Sequence, residues 1–388
     1  RIQAGSKGVG RFALSRLGRS VCVKSQKKES VGVIWRTDWN TSFIEKKDIV
    51  CENGTEITIV GLRERWNKKR IENLCNYLKK TYHDTSMEIR IIADEYDKIV
   101  PTHFPEAKAG INCRSNIILK YRDGILTTMV NSDEFEEEAL KYCPDIDIKK
   151  FVIKTDIVKE LKGSELVELI DSDIESVAKE LGNFSANLFF RLTSSKEDKH
   201  KFMYKYLDTP QKVESGVILY RNAFSISSYE GRKDWLGLGK RSRKSPAAAS
   251  HPTGSWRVRE NQVAGYVLID KQENSVLQDM ANRQGLDENI YYQLFVKILL
   301  IGIKEFERYR QSIIRKINVK NQLEQENVKP VSDRVISKPS SVSKFTKDEV
   351  KQLAAELKGY KNEGKQYKRD KEAVEARYKY DVRILNVL

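Results

Sequence analysis

A glycine-rich loop near the start of the chain has the residue types that bind phosphate groups. Its glycines follow the pattern G-x-x-G-x-G, and a helical segment comes directly after it. Glycine lets the backbone approach phosphate oxygens, and the helix behind the loop points its free N–H groups toward an anion. A lysine in the loop would add positive charge at the same place. The spacing predicts phosphate binding by Gly5, Ser6, Lys7, Gly8, Val9, Gly10 and Arg11.

Two better-known phosphate loops do not fit this segment. A dinucleotide-binding fingerprint needs a strand directly before the loop, and nothing strand-like precedes Gly5. A Walker A loop ends in Gly-Lys-Ser or Gly-Lys-Thr, whereas Val9, Gly10 and Arg11 end this one. A glycine-rich helix start can also be only a tight turn, so both interpretations stay open on the loop alone.

A second group of candidate residues combines basic and aromatic side chains. Lys240, Arg241, Arg243 and Lys244 follow closely behind Trp235. Basic side chains can pair with phosphates while an aromatic ring stacks on a base, so this spacing predicts a nucleic-acid contact. A soluble loop without a ligand is the alternative. The formal net charge of +15 favours polyanionic partners, although a lysine-rich surface would give the same value.

The elements that must position these residues mix helix and strand, so the expected class is α+β. Before residue 100 the pattern predicts strands at 20–25, 30–36, 54–62 and 87–93 and a helix at 69–82. Segment 101–185 gives no clear pattern beyond helical stretches at 134–142 and 156–181. Strand patterns return at 183–192, 216–227 and 262–270, and a long helix is predicted at 287–317.

These elements predict two domains, at 1–105 and 106–317, followed by a linker at 318–345 and a helical tail at 346–388. The linker contains prolines and a serine cluster. The tail opens on a capping box and has apolar residues at alternating steps of three and four. That spacing favours a coiled coil and therefore a homodimer. A single amphipathic helix packed on its own domain is the alternative.

The composition excludes several classes of protein. Five scattered cysteines contain no C-x-x-C pair, and the four histidines lack metal-ligand spacing. These features predict a reducing compartment with neither a disulfide framework nor a zinc site. No apolar run is long enough to span a membrane, and no signal peptide is visible. We therefore expect a cytoplasmic protein without a membrane partner.

The segment GSKGVGRFALSRLG resembles the end of the ATP lid in ATPases of the GHKL superfamily, which includes gyrase, heat-shock chaperones, histidine kinases and MutL. Downstream, GTEITI resembles the family's GT strand, so Thr55 is expected beside the adenine pocket. The resemblance implies the C-terminal part of a GHKL (Bergerat) ATP-binding sandwich, with ATP and Mg²⁺ as cofactors. The family's general base, Mg²⁺ ligand and adenine-reading aspartate precede the lid, and are expected before Arg1.

The second domain resembles the transducer domain that follows the ATPase in the chaperone and MutL branches. The resemblance rests on 216–224, on 265–270 and on the loop after them, and the YRN-x-F…DWLGL pattern is similar to a group of bacterial GHKL ATPases. It implies that Arg283 reaches the γ-phosphate, with Lys271 as the second candidate catalytic residue. The alternative for Arg283 is a residue that caps the preceding helix.

The resemblance therefore implies an ATPase whose nucleotide state drives closure of a dimer or of domains. The basic charge favours action on DNA or RNA, in repair, topology or antiviral defence. A chaperone-like ATPase that acts on proteins is one alternative, and a sensor kinase is another. A kinase would carry its phosphoacceptor helix before the ATP-binding domain, whereas here a second α+β domain follows it.

Overall fold

A computed structural model describes residues 10–47, 53–84, 87–93, 96–162, 164, 173–244, 257–280 and 285–328. Helices and strands alternate irregularly in this part of the chain, so the predicted α+β class is confirmed. The strands form a four-stranded sheet, a two-stranded sheet and a seven-stranded mixed sheet. The tail predicted at 346–388 and its proposed coiled coil lie outside the described residues.

The four-stranded sheet is antiparallel throughout, with the strand order β3-β2-β1-β4. Valine, isoleucine and threonine alternate with polar residues along its strands, as expected for a sheet with two different faces. The strand predicted at 54–62 is confirmed at both ends. The elements are α1 (Gly10–Leu17), β1 (Gly18–Gln26), β2 (Val33–Thr37), β3 (Ser42–Lys46) and β4 (Gly54–Leu62).

One face of this sheet is apolar but poorly covered by the rest of the described chain. The strand register places Val23, Trp35 and Ile57 side by side on that face. Ile57 is 52% exposed, and Ile44, which pairs with Trp35, is 74% exposed. Contiguous apolar surface of this kind marks a place where another group binds.

A helix and a small hairpin complete the first unit, by which we mean residues 10–99. The helix α2 (Lys68–Thr81) begins after Asn67, whose side chain accepts a hydrogen bond from the Arg70 N–H at 3.0 Å. It confirms the helix predicted at 69–82 to within one residue. The hairpin consists of β5 (Arg90–Ala93) and β6 (Tyr96–Ile99), which makes the strand predicted at 87–93 shorter than expected.

The second unit, residues 100–328, is built on the seven-stranded sheet. The strand order is β12-β11-β13-β10-β7-β8-β9, and β11 and β13 are the only parallel neighbours among these strands. The strands are β7 (Ser115–Arg122), β8 (Ile125–Ser132), β9 (Lys150–Asp156), β10 (Phe184–Phe190), β11 (Gly216–Arg221), β12 (Phe224–Glu230) and β13 (Val263–Ile269). Short helices connect them: α3 (Ile157–Leu161), α4 (Ile174–Glu180), α5 (Lys196–Phe202) and α6 (Leu238–Arg243).

A long helix, α7 (Ile290–Val328), covers one face of this sheet. Its Phe295 and Phe306 are fully buried among strand residues that alternate along the sheet. Gly302 lets the helix approach closely, because a Cβ at that position would lie 2.5 Å from the Leu119 side chain. Within the described chain, neither this helix nor any shorter one is apolar over a membrane-spanning length.

The opposite face of the sheet holds a second, smaller apolar cluster. Phe189, Ile218 and Tyr220 point to that side and pack with Phe104 and Cys113. Strand residues on both faces are therefore buried near the centre of the sheet, which explains the almost continuous apolar runs of β10, β11 and β13.

The end of α2 attaches the first unit to the edge of the seven-stranded sheet. Tyr82 forms an isolated antiparallel bridge with Phe224, the first residue of the edge strand β12. The backbone N–H of His83 donates a hydrogen bond to the Ala223 carbonyl at 2.8 Å. The Tyr220 hydroxyl donates to the Lys80 carbonyl at 2.9 Å. We call this contact the junction.

Two parts of the predicted layout differ from the structure. The long helix continues to Val328, so the linker predicted from residue 318 begins at least eleven residues too early. The helix can continue because segment 318–329, which leads up to Pro330, contains no glycine or proline. The β7–β8 hairpin lies in the segment without a clear pattern, although its Asp123-Gly124 turn is a strong hairpin signal.

Two partly buried histidines lie at the junction. His83 packs on the rings of Tyr220 and Tyr266, with centroid distances of 5.0 and 4.0 Å. Burial lowers the pKa of His83, and the Asp84 carboxylate opposes that shift. Burial, followed by the charges of Lys80 and Lys79, lowers the pKa of His103 to about 4, against a weaker opposing effect of Glu214. The Nδ1 atoms of both histidines lack hydrogen-bond partners among the described residues.

These histidines predict that the junction weakens in acid. An unfolded imidazole titrates near a pH of about 6.5, so the stabilisation is complete above that value and is lost as the pH falls toward 4. We expect a loss of about 1–2 kcal/mol in unfolding free energy between roughly pH 7.5 and pH 5, measured by chemical denaturation. Replacing both His83 and His103 with phenylalanine should flatten this dependence. His200→Gln, at an exposed position, should leave it unchanged, and equal slopes in all three proteins would refute the prediction.

Candidate functional site

The structure describes only the end of the predicted phosphate loop. Gly5, Ser6, Lys7, Gly8 and Val9 lie outside the described residues, as does the side chain of Arg11. The helix α1 spans Gly10–Leu17, which confirms a helix over the segment that follows the predicted loop. Two hydrogen bonds fix the far end of this helix, from Arg63 Nε to the Ser15 carbonyl at 2.8 Å and from the Arg63 N–H to the Leu17 carbonyl at 3.0 Å.

Thr55 lies beside the apolar face of the four-stranded sheet. It is the second residue of β4, and its hydroxyl is 2.8 Å from that of Ser25 on β1. Residues two apart on a strand share a face, so Thr55 extends the row that continues through Ile57 and Ile59. A flat heterocycle could pack on such a surface while the hydroxyl fixes its orientation, so the described residues fit the adenine contact expected of Thr55.

Trp235 is partly buried and packs against the core, which corrects its predicted role in stacking on a base. Its indole N–H donates to the Val217 carbonyl at 2.8 Å. Its ring stacks on Phe295 of α7, with centroids 6.2 Å apart and an interplanar angle of 9°. Tyr229 contacts it edge-on at 5.3 Å. Because both the ring and its polar atom have partners inside the second unit, a nucleotide base would have to displace that packing.

Arg241 is also committed to a structural contact. Its guanidinium donates two parallel hydrogen bonds to the Glu307 carboxylate of α7, at 2.7 and 2.6 Å. Glu307 is fully buried and also accepts from Arg257 at 3.1 Å and from the Val258 N–H at 2.8 Å. We therefore remove Arg241 from the predicted phosphate-binding set, because binding a phosphate would leave a buried carboxylate with fewer partners.

The other predicted cations remain on the surface. Lys240 and Lys244 are exposed, and within the described part of the chain Arg243 makes a solvent-exposed ion pair of 3.4 Å with Glu260. The carboxylate of Asp234 forms the turn that precedes them, accepting from the N–H groups of Leu238 and Gly239 at 3.0 and 2.7 Å. Residues 245–256, which follow these cations, lie outside the described residues.

A cleft of about 210 Å³ lies next to this basic surface. Its lining includes Arg232 and Lys233 but also Asp234 and Glu260. The mixture of charges does not select an anion, and the volume is below the roughly 300–1,000 Å³ of ordinary small-molecule sites. We assign no ligand to it.

The second group of predicted nucleotide contacts lies at the end of β13. Arg283 is outside the described residues, whereas Lys271 is described and its side chain is exposed. The Lys271 backbone N–H donates to the Asn222 side-chain oxygen at 2.6 Å. The Asn222 amide in turn donates to the Asp270 carboxylate at 2.9 Å. The backbone of Lys271 is therefore held by a residue 49 positions earlier in the chain.

Arg221, next to Asn222, holds the following segment. Its guanidinium donates to the Asp279 carboxylate and to the Leu277 carbonyl. Burial lowers the pKa of Arg221, and the nearby carboxylates of Asp279 and Asp270 oppose that shift. The sequence motif that contains Arg221 and Asn222 thus fixes both Lys271 and the segment that leads toward residue 283.

Two important residues were not found by sequence reasoning. Glu307 lies within a helical pattern where a carboxylate is ordinary, and nothing local marks it as buried. For Asn222 the sequence did offer an indication of a turn, because an asparagine between two strand patterns often has the positive φ of a left-handed turn. Its side-chain partners, however, come from a distant strand end.

Comparison with known protein families finds no family model that matches this chain, and comparison with curated proteins finds no significant match. The proposals that follow therefore rest on the sequence motifs and on the geometry described above.

The buried carboxylate of Glu307 gives a direct stability prediction. Glu307→Gln removes the negative charge from two arginines, and we expect a loss of about 1–3 kcal/mol in unfolding free energy. Glu260→Gln is the matched control. Glu260 is the exposed partner of Arg243, which lies on the same short helix, α6, as Arg241, so its loss should cost less than about 0.5 kcal/mol. Chemical denaturation followed by tryptophan fluorescence would measure both. Equal losses would show that burial of Glu307 is not decisive.

Proposed function

We propose that this chain is part of an ATP-binding GHKL-type ATPase. The observation that carries the proposal is the order of elements around the glycine loop. A helix begins at Gly10 directly behind the loop, and β4 brings Thr55 to an apolar sheet face. The amides of 5–10 and Lys7 would hold the phosphates, while Thr55 and the apolar face would contact the base. Bound Mg²⁺ would supply positive charge to the phosphate oxygens.

The second unit would act as a transducer of the nucleotide state. Support comes from the junction, which connects the first unit to the edge strand β12 of the seven-stranded sheet, and from Lys271, which follows β13 and is bonded to Asn222 of the β11–β12 turn. In this proposal Lys271 or Arg283 senses the γ-phosphate, since only a group with different contacts to ATP and ADP can shift a conformational equilibrium. The resemblance further suggests a homodimer in the cytoplasm.

Nucleic acid is the partner that the charge favours. Lys240, Arg243 and Lys244 remain available on one surface, and the net charge of the chain is +15. The alternatives are a chaperone-like ATPase acting on proteins and a sensor kinase. The commitment of Trp235 and Arg241 to the core reduces the predicted nucleic-acid surface, so this assignment rests on the three exposed cations.

The nucleotide proposal predicts that bulky side chains in the loop abolish ATP binding. Gly8→Val combined with Gly10→Val should block the approach of backbone amides to phosphate, lowering affinity by at least about 100-fold in calorimetry. Gly124→Asn is a suitable control, because that glycine lies in a hairpin turn of the second unit with no atom within 4 Å of an added Cβ. Unchanged affinity in the loop variant would refute the proposed function.

The nucleic-acid proposal predicts a charge effect that depends on position. Changing Lys240, Arg243 and Lys244 to serine should weaken binding of a DNA duplex and flatten its log–log salt dependence by about one unit for each phosphate that is no longer neutralised. Changing Lys141, Lys150 and Lys154 to serine removes the same charge from exposed positions elsewhere. Identical effects of the two triple variants would indicate nonspecific attraction, and no binding by the wild-type protein at low salt would favour a protein partner.

A further inference from the structure

The turn between β11 and β12 is the place where three parts of the molecule meet. It consists of Asn222 and Ala223, and Arg221 pairs with Phe224 on either side of it. Both turn residues have positive φ, 49° and 74°, as in a type I′ hairpin turn. Asparagine tolerates this conformation, but alanine does so only with strain. The backbone of this turn, which we call the Asn222 turn, is therefore kept in place by its surroundings.

On one side, the Asn222 turn contacts the first unit. The Ala223 carbonyl accepts the His83 N–H at 2.8 Å, and the Phe224 ring meets Tyr82 edge-on at 5.4 Å. Tyr220, at the end of β11, donates to the Lys80 carbonyl. A displacement of the end of α2 would therefore act directly on this turn.

On the other side, the same turn holds the end of β13. Asn222 uses both ends of its amide group there, accepting from the Lys271 N–H and donating to Asp270. The Asp270 carboxylate also accepts from the N–H groups of Gln272 and Glu273, at 2.6 and 3.1 Å. The Lys271 N–H is thus held by a side chain that belongs to the junction, next to the turn that Asp270 forms and to the Asn222 N–H bond with the Ile269 carbonyl at 3.1 Å.

A second hairpin in the same sheet provides the comparison. The Asp123–Gly124 turn between β7 and β8 has nearly the same conformation, with φ values of 47° and 81°. A Cβ added to Gly124 would meet no atom within 4 Å, so a side chain at this position has room. Both hairpins carry a polar residue at the first turn position, but the contacts of the Asp123–Gly124 turn, such as Ile157 N–H to the Gly124 carbonyl at 3.0 Å, stay within the second unit, whereas the Asn222 turn also contacts the first unit.

We propose that Asn222 is a positioning residue for Lys271, and that it transmits the position of the first unit to this lysine. The proposal rests on the ATPase function proposed above in one respect: the ligand that Lys271 would contact is the γ-phosphate. The physical link itself consists of the His83–Ala223 and Asn222–Lys271 hydrogen bonds and is independent of nucleotide. Breaking the link should leave both units folded and nucleotide affinity intact, while removing the coupling between them.

Hydrogen exchange in the absence of nucleotide tests the link. Asn222→Gly preserves the positive φ and removes only the side chain, so we expect about tenfold faster exchange in peptide 270–280. Tyr82→Leu, a change in the first unit, should accelerate exchange in that peptide when it is added to the wild type. It should do the same when added to the control variant Asp123→Gly, but it should cause no further acceleration when added to Asn222→Gly. A Tyr82→Leu effect that persists without Asn222, or that is absent from the wild type, would overturn the proposal.

Nucleotide measurements on the full protein then separate this proposal from the proposed function. Asn222→Gly should hold ATP within about threefold of wild type but lower kcat by roughly 10- to 100-fold, and Lys271→Ala added to it should cause little further reduction. Normal kcat in Asn222→Gly would overturn the positioning role. If no variant binds ATP, the ATPase function fails, and the exchange experiment still decides whether Asn222 links the two units.

A second variant protects the test against a folding defect. Asp270→Asn keeps the oxygen that accepts from the N–H groups of Gln272 and Glu273. It replaces the other oxygen with an NH₂ group, which cannot accept the hydrogen bond from the Asn222 amide. It should reproduce the exchange increase in 270–280 without altering the turn. Exchange in 270–280 that stays at the wild-type rate in both Asp270→Asn and Asn222→Gly would show that Asn222 does not position Lys271.

Discussion

The carboxylate of Glu307, on the long helix α7, is fully buried, and a buried charge must be paired where it lies. Its three donors come from residues on the two sides of segment 245–256: Arg241 before it, and Arg257 and the Val258 N–H after it. An uncompensated carboxylate in this position would cost several kcal/mol. The residues on the two sides of that segment therefore meet at a single carboxylate on α7, beside the exposed cations Lys240, Arg243 and Lys244.

The same helix forms a second buried ion pair one turn further along. Arg310 Nε donates to both oxygens of Glu134 at 2.8 Å, with Arg114 3.9 Å from that carboxylate. Together with the close approach at Gly302, these contacts fix the rotation and the register of the helix on the sheet. Apolar packing supplies most of the stabilisation, while the charged pairs specify one arrangement of the helix.

The first unit is attached in a different way. Its apolar sheet face is largely exposed, and its attachment to the second unit uses a few hydrogen bonds and aromatic contacts around Tyr82, His83 and the Asn222 turn. A contact of this small size is easier to change than the helix–sheet core. The junction is therefore the weaker of the two contacts that the described residues show.

The sequence by itself determined the α+β class, the limits of β4 and α2, and the helix behind the glycine loop, because each depends on periodicity. The strand predicted at 216–227 is instead two strands, β11 and β12, joined by the Asn222 turn. The sequence did not determine the roles of Arg241 and Trp235, whose partners Glu307 and Phe295 lie on a helix more than fifty residues away. It also could not show that Asn222 holds Lys271. Those assignments depend on which distant side chains the packed sheet and helix bring together, and no local pattern contains that information.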